Sequence, residues 1–332
     1  MDNCAVSSLR ALSDRQLLSG HEVKSFLQSA IEENDSEDSK RMQPIFEREF
    51  DKYGRTKRHT VNSDLTLMTT SSFDHHLWQV VSFANSHQSA MALRLSTRLL
   101  NIEPYDPKLL QWHISLLVEN ENAIELFKIS HRLINMDYEN WHGWYAAGCY
   151  YLTIHKYEKA AELLRKSLTK EPSAGLAYLA LGHAFSNEKE HDQAMSAYLT
   201  AERVMRGSAL PHLYVGLEYG STGNHDQAES FLRRAMEIEP ENPLVLHELG
   251  TNAYQLGKFS RAKEYYEAAM VIIEQSKAEY ESEVVSRWAP LLHNLGNCYR
   301  KLGALNKSVR ISYGPFCDQK LTLLASCLQF FS

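Results

Sequence analysis

A chain of 332 residues is long enough for two ordinary domains or one elongated repeat array, and a 44 % hydrophobic content can furnish a substantial core. Lys plus Arg number 35 against 41 Asp plus Glu, a formal charge of -6, which removes any general electrostatic drive toward nucleic acid or an anionic membrane. The five cysteines (Cys4, Cys149, Cys298, Cys317, Cys327) form no CxxC pair, so neither a disulfide framework nor a zinc module is indicated and a reducing compartment is expected.

Residues 9–31 place Leu12, Leu17, Val23, Phe26, Leu27 and Ile31 at helical spacings. This opening stretch lacks the unbroken apolar core of a signal peptide, which points to cytoplasm or nucleus. The acidic run Glu32 to Asp38 reads as a solvated linker. A second helix over about 43–54 ends at Gly54, and Arg55, Lys57 and Arg58 read as a solvated basic loop rather than an import signal. Together 1–58 form an N-terminal helical segment, and the Ser/Thr-rich 59–72 a loose linker.

The centre of the chain is periodic. Gly148, Gly182, Gly216 and Gly250 recur every 34 residues. Twelve residues after each glycine stands an alanine (Ala160, Ala194, Ala228, Ala262), and four further on a large residue (Leu164, Tyr198, Leu232, Tyr266). Pro172 and Pro240 close two of the units, because proline lacks the N–H that would continue a helix. Each unit therefore reads as two antiparallel helices. The glycine and the alanine are expected where the two backbones approach most closely, with Trp144, Tyr151, Tyr178, Phe185 and Tyr219 filling the wider gaps. Four in-phase units, 141–174, 175–208, 209–242 and 243–276, resemble the tetratricopeptide-repeat (TPR) consensus. The expected fold is all-α, a right-handed TPR superhelix or solenoid of antiparallel helix pairs, in which each pair needs its neighbours to bury both faces.

Two degenerate units occupy 73–140: in 73–106 Ala92 and Pro104 take the alanine and terminator positions, and 107–140 keeps the run Ala123 to Phe127. Beyond 276 the next glycine, Gly296, arrives 46 residues after Gly250, so 277–288 is read as an insertion and 289–310 as a partial unit. Ser308 and Ser312 stand where alanine and a large residue are due, and Tyr313-Gly314-Pro315 breaks the helix. The tail 311–332 fits no repeat, and its apolar stretch Leu321 to Phe331 would serve as a makeshift cap or remain an aggregation-prone surface. A chain of this pattern reads as an interior or truncated portion of a longer protein.

No catalytic chemistry is legible. Fifteen histidines include the neighbours His75-His76, but no HExxH and no His/Cys cluster at zinc spacing. No P-loop occurs, and Gly220-Ser221-Thr222-Gly223 sits in a turn between helices, the wrong context for a nucleophile. Cys149 and Cys298 are explained by packing. The chain is expected to be no enzyme and to hold no cofactor or metal. It is expected to bind proteins, with no nucleic-acid or membrane partner.

Helix geometry places recurring positions of each first helix on one face, which would line a concave groove. These residues are Tyr145, Leu152, His183, Asn187, Leu210, Leu213, Leu217, Gly220, Ser221, His247, Thr251, Tyr254, Gln255, His293, Asn297, Arg300 and Lys301. The face runs from apolar to polar and basic, which suits an extended or helical peptide with an apolar anchor and an acidic or polar flank. Each position leaves a second reading open, packing against the next superhelical turn. His142, Tyr145, Cys149, Leu176, Leu179 and His183 lack the Lys and Asn with which chaperone adaptors clamp a carboxylate.

Some runs exceed any TPR consensus: Gly182-His183-Ala184-Phe185 with Glu190 to Tyr198, Leu210-Pro211, Tyr214 to Gly220, and Trp288 to Gly296. With Trp144 to Tyr151 and the delayed Gly296, they resemble subunit six of the anaphase-promoting complex (cyclosome), the cell-division-cycle-sixteen type, over roughly 10–310. The resemblance implies a non-catalytic scaffold of a ubiquitin ligase controlling mitosis, located in nucleus and cytoplasm. Its partners would be other subunits, including a small one enclosed by later repeats, and homodimers form in that family through N-terminal repeats that this chain is read as lacking. Alternatives from other classes are a free peptide-binding adaptor with a different partner, a competing or non-functional truncated form, and the targeting array of an enzyme similar to TPR-bearing sugar transferases.

Overall fold

The computed structural model describes residues 73–85, 89–276 and 288–304. The N-terminal helices and linker expected before 73, nearly all of the expected insertion and the tail lie outside the described residues. Among those residues there are thirteen α-helices and no strand. They are α1 (Phe73–Asn85), α2 (Ser89–Leu100), α3 (Pro107–Glu119), α4 (Ala123–Met136), α5 (Trp141–Thr153), α6 (Tyr157–Lys170) and α7 (Gly175–Asn187). There follow α8 (His191–Val204), α9 (Leu210–Ser221), α10 (His225–Ile238), α11 (Pro243–Gln255), α12 (Phe259–Ser276) and α13 (Ala289–Lys301). Helices adjacent in sequence pack together, α5 with α6, α7 with α8 and α11 with α12 most extensively. The chain divides into two compact units at Glu218/Tyr219, within α9, and each is described by itself below.

First and second helices differ in kind. The second helix α6 buries Ala160, Ala161, Leu164 and Ser167, one stripe at helical spacing, and leaves its charged face in water. The first helix α5 buries every residue from His142 to Cys149, and α7 is nearly as enclosed, so no single stripe marks their inner side. Helix starts are fixed by local chemistry. The Asp106 carboxylate accepts from the Leu109 N–H at 2.7 Å with Pro107 at the first helical position. Asn140 and Asn242 accept from His142 and Leu244 at 2.9 and 3.0 Å. Helices α2, α6 and α10 end at Leu100, Lys170 and Ile238, shortly before Pro104, Pro172 and Pro240.

The turn inside each pair repeats a backbone conformation. Glu121, His155, Lys189, Gly223 and Gly257 all have positive φ (52°, 58°, 63°, 82°, 75°) and stand 34 residues apart. The following N–H reaches back five residues at each turn, as in Lys156 to the Tyr151 carbonyl and Glu190 to the Phe185 carbonyl, 2.9 and 3.0 Å. This is the Schellman closure of a helix end. Three of the five sites carry a side chain where glycine fits best.

The glycine ladder has a different cause from the one expected. A Cβ on Gly148 would lie 2.5 Å from Leu164, one on Gly182 2.2 Å from the Tyr198 ring, and one on Gly250 2.5 Å from the Tyr266 ring. Each glycine therefore admits the large residue sixteen positions later, rather than an alanine's backbone. Ala160, Ala194, Ala228 and Ala262 are buried, at most 1 % exposed. Trp144 is wedged at the α4–α5 junction: its Nε1 donates to the Tyr138 carbonyl at 2.9 Å and the Lys166 ammonium lies 3.5 Å from the ring centroid.

Candidate protein-binding faces

In the unit ending at Glu218, the groove candidates separate by burial. Tyr145 and Leu213 are 4 % and 2 % exposed, so here they are core rather than ligand-facing. Burial pushes the Tyr145 phenol well above its ordinary value, with Cys149 adding to the shift and Ser115 opposing it. Leu152, His183, Leu210 and Leu217 are partly buried and Asn187 is exposed. His183 is held from within. Its Nδ1 is 2.9 Å from the Tyr198 hydroxyl, and the Tyr214 ring meets it edge-on at 4.4 Å. Burial lowers His183 to about 4 while Glu218 opposes the shift, so at neutral pH the imidazole is uncharged. Gly182 makes this contact, since only its missing side chain lets the Tyr198 ring reach across α7.

The unit from Tyr219 onward repeats the arrangement. Gly250 admits Tyr266, whose hydroxyl donates to Thr251 Oγ1 at 3.1 Å, and Thr251 in turn donates to the His247 carbonyl at 3.0 Å. His183 and Thr251 thus occupy the same position, directly after the glycine, and each anchors a buried tyrosine. His247 brings Nδ1 to 2.8 Å from Glu248 Oε1 and Nε2 to 3.1 Å from the Asn294 amide on α13. Asn294 was not among the groove candidates, though it lies in the run Trp288 to Gly296 that exceeds the TPR consensus. His247, Thr251, Tyr254 and Asn297 are partly buried, whereas Ser221, Gln255, His293, Arg300 and Lys301 are exposed. Gly220 is open, with nothing within 4 Å of an added Cβ.

A second set of histidines joins consecutive helix pairs. His191, first residue of α8, places Nδ1 2.7 Å from the Glu218 carboxylate on α9, whose side chain is only 6 % exposed. His225, first residue of α10, places Nδ1 3.0 Å from Asn252 Oδ1 on α11, and the Asn252 amide donates to the His225 carbonyl at 3.0 Å. Both pairs span 27 residues and sit 34 apart. Sequence reasoning quoted His191 and Glu218 in separate runs without joining them. Their contact is a physical reason for two residues that a generic repeat does not demand.

Among the described residues no group of three His, Cys, Asp or Glu could hold a metal. Burial pushes the Cys149 thiol up to about 12 and Cys298 to about 11, which keeps both protonated and unreactive at neutral pH. No described helix is long and apolar enough to cross a membrane.

Tetratricopeptide-repeat family models match residues 145–207, 215–242 and 245–275. With the helix pairs, the recurrent turn and the glycine–tyrosine contacts, this makes the chain a TPR protein. Over 88 % of its length it is 37 % identical to the human "Cell division cycle protein 16 homolog", and over 66 % it is 32 % identical to "Anaphase-promoting complex subunit cut9" of Schizosaccharomyces pombe. Within the TPR class the chain is thus a homologue of the cell-division-cycle-sixteen, or anaphase-promoting complex subunit-six, type. It spans 47 % of the human relative and 33 % of the yeast one. The "APC/C hetero-tetramer Cut9-Hcn1" crystal structure contains a similar chain, with TM-score 0.73 and 25 % identity, covering 92 % of this chain and 59 % of that one.

Proposed function

We propose that the chain is a non-catalytic TPR scaffold subunit of the anaphase-promoting complex, binding other subunits of that ubiquitin ligase in nucleus and cytoplasm. The observation that carries this reading is sequence identity of 37 % sustained over 88 % of the chain. A small partner corresponding to Hcn1 in the similar structure would lie on first-helix faces, where Leu152, Asn187, Leu217, Tyr254, Gln255, His293, Asn297 and Arg300 retain exposure. His183, His247 and Thr251 would shape those faces through the tyrosine and asparagine contacts described above.

Affinity purification of the tagged chain in mild salt, followed by mass spectrometry, tests the reading. Recovery of several anaphase-promoting complex subunits is the expected result; recovery of none overturns it, and a single unrelated partner would make the chain a free adaptor. Within the complex, Tyr254→Ala with Asn297→Ala should weaken capture of the small subunit while the helical circular dichroism stays intact. Unchanged capture would show that the face is wrongly assigned.

A further inference from the structure

The joint between α11 and α13 is made differently from the corresponding joints earlier in the chain. Tyr145, Leu179, Leu213 and His247 occupy one repeat position, 34 residues apart. The first three are buried in the core. His247 is only partly buried, with Nε2 3.1 Å from the Asn294 amide nitrogen on α13 and Nδ1 2.8 Å from Glu248 Oε1. The change coincides with the lengthened connection, where Gly296 follows Gly250 by 46 residues instead of 34.

An amide NH2 group can only donate and a carboxylate can only accept. One arrangement satisfies both contacts together, with the hydrogen on Nδ1 directed at Glu248 and the lone pair of Nε2 facing Asn294. Hydrogen bonds then run in one direction, from Asn294 to His247 to Glu248. Unlike an apolar contact, such a chain fixes angle as well as separation. A second polar contact holds α13 from another side, since the Tyr299 hydroxyl donates to Glu267 on α12. Asn294 and Tyr299 stand five residues apart, about 140° around the helix axis. Two directed contacts at that angle set the rotation of α13 about its own axis. Asn297, three residues beyond Asn294, shares its face and turns with it.

We propose that Asn294, His247 and Glu248 are positioning residues for the small-partner face, setting the rotation of α13 and so the direction in which Asn297 meets the partner. The inference rests on the first-helix reading given above. Asn294 acts through α13, and Glu248 acts by holding the His247 ring in the state that receives the Asn294 amide.

Binding of the full chain to recombinant Hcn1, the partner chain in the similar crystal structure, tests this beside the melting temperature. His247→Leu installs the residue that Leu179 and Leu213 provide at this position. It should leave the melting temperature unchanged or higher, yet weaken Hcn1 binding by about tenfold. Asn294→Ala should weaken binding by a similar factor. A purely structural joint would be served equally well by leucine, with binding kept. Histidine 15N spectra at about pH 8 report the ring itself. The signals lost in His247→Leu should show Nδ1 protonated and Nε2 bare. Glu248→Gln should mix the two tautomers and also weaken Hcn1 binding. Equal binding by His247→Leu, or a protonated Nε2 in the parent, overturns the proposal while the first-helix reading stands. A parent chain that does not bind Hcn1 overturns both.

Discussion

Replacing Gly182 by alanine tests the glycine–tyrosine contact directly. A Cβ there would lie 2.2, 2.5 and 2.7 Å from three atoms of the Tyr198 ring. That ring is 1 % exposed, and its hydroxyl is fixed on His183, so it cannot swing aside without breaking the bond. Overpacking of this kind costs about 1–3 kcal/mol or more, whereas glycine to alanine in a helix interior gains about 1 kcal/mol. With an overlap this deep the first effect should win, for a net loss of about 1–3 kcal/mol. Tyr198→Ala alone should cost about 3–5 kcal/mol. In that background Gly182→Ala should stabilise by about 1 kcal/mol, because the obstacle is gone and only the helix preference remains. Urea unfolding followed at 222 nm measures all four corners of the cycle. A neutral or stabilising Gly182→Ala in the parent protein refutes the reasoning. Gly220→Ala, with nothing within 4 Å of its added Cβ, should stabilise by about 0.5–1 kcal/mol and serves as the contrast.

At the turns, Lys189→Gly should stabilise by about 0.5–1 kcal/mol because it relieves a left-handed side-chain residue, and Gly257→Ala should destabilise by about 1–2 kcal/mol; thermal melts report both signs. Removing His191 takes a close contact from a buried carboxylate, so His191→Ala should cost about 1–3 kcal/mol, with a coupling of about 0.5–3 kcal/mol in the double-mutant cycle with Glu218→Ala. Additive losses would show that the 2.7 Å contact carries no energy of its own. Burial lowers His113, His142 and His183 to about 4 from 6.5. On acidification the unfolded chain therefore takes up protons first. Stability should be full above about pH 6.5 and fall toward pH 4, by up to about 3 kcal/mol per histidine. An unchanged urea midpoint between pH 7.5 and 5 would refute that assignment.

The periodic skeleton was legible because glycine, alanine and proline recur at fixed intervals, and each of these residue types constrains a backbone contact or ending. What each glycine faces was not legible. Leu164, Tyr198 and Tyr266 are simply large residues until two helices are laid side by side. Glycine marks the left-handed turn at Gly223 and Gly257, but Glu121, His155 and Lys189 give no such signal, because there repeated tertiary packing overrides the residue's own preference. The groove was least readable. First helices such as α5 are enclosed on nearly every side, so the spacing that separates core from surface in α6 says nothing about whether Tyr145 faces a ligand or a neighbour. His191 with Glu218 and His225 with Asn252 are polar partners 27 residues apart, and no local rule links them.

Those two histidine pairs make successive joints of one array chemically unlike. The His225–Asn252 joint is amide to imidazole and carries no ionised acceptor, so ions in the medium have little hold on it. The His191–Glu218 joint ends on a buried carboxylate, so its contacts are electrostatic in a way that those of the amide are not. A change that acts on charge therefore bears on one of these contacts and passes over the other, although both sit at the same place in their repeats.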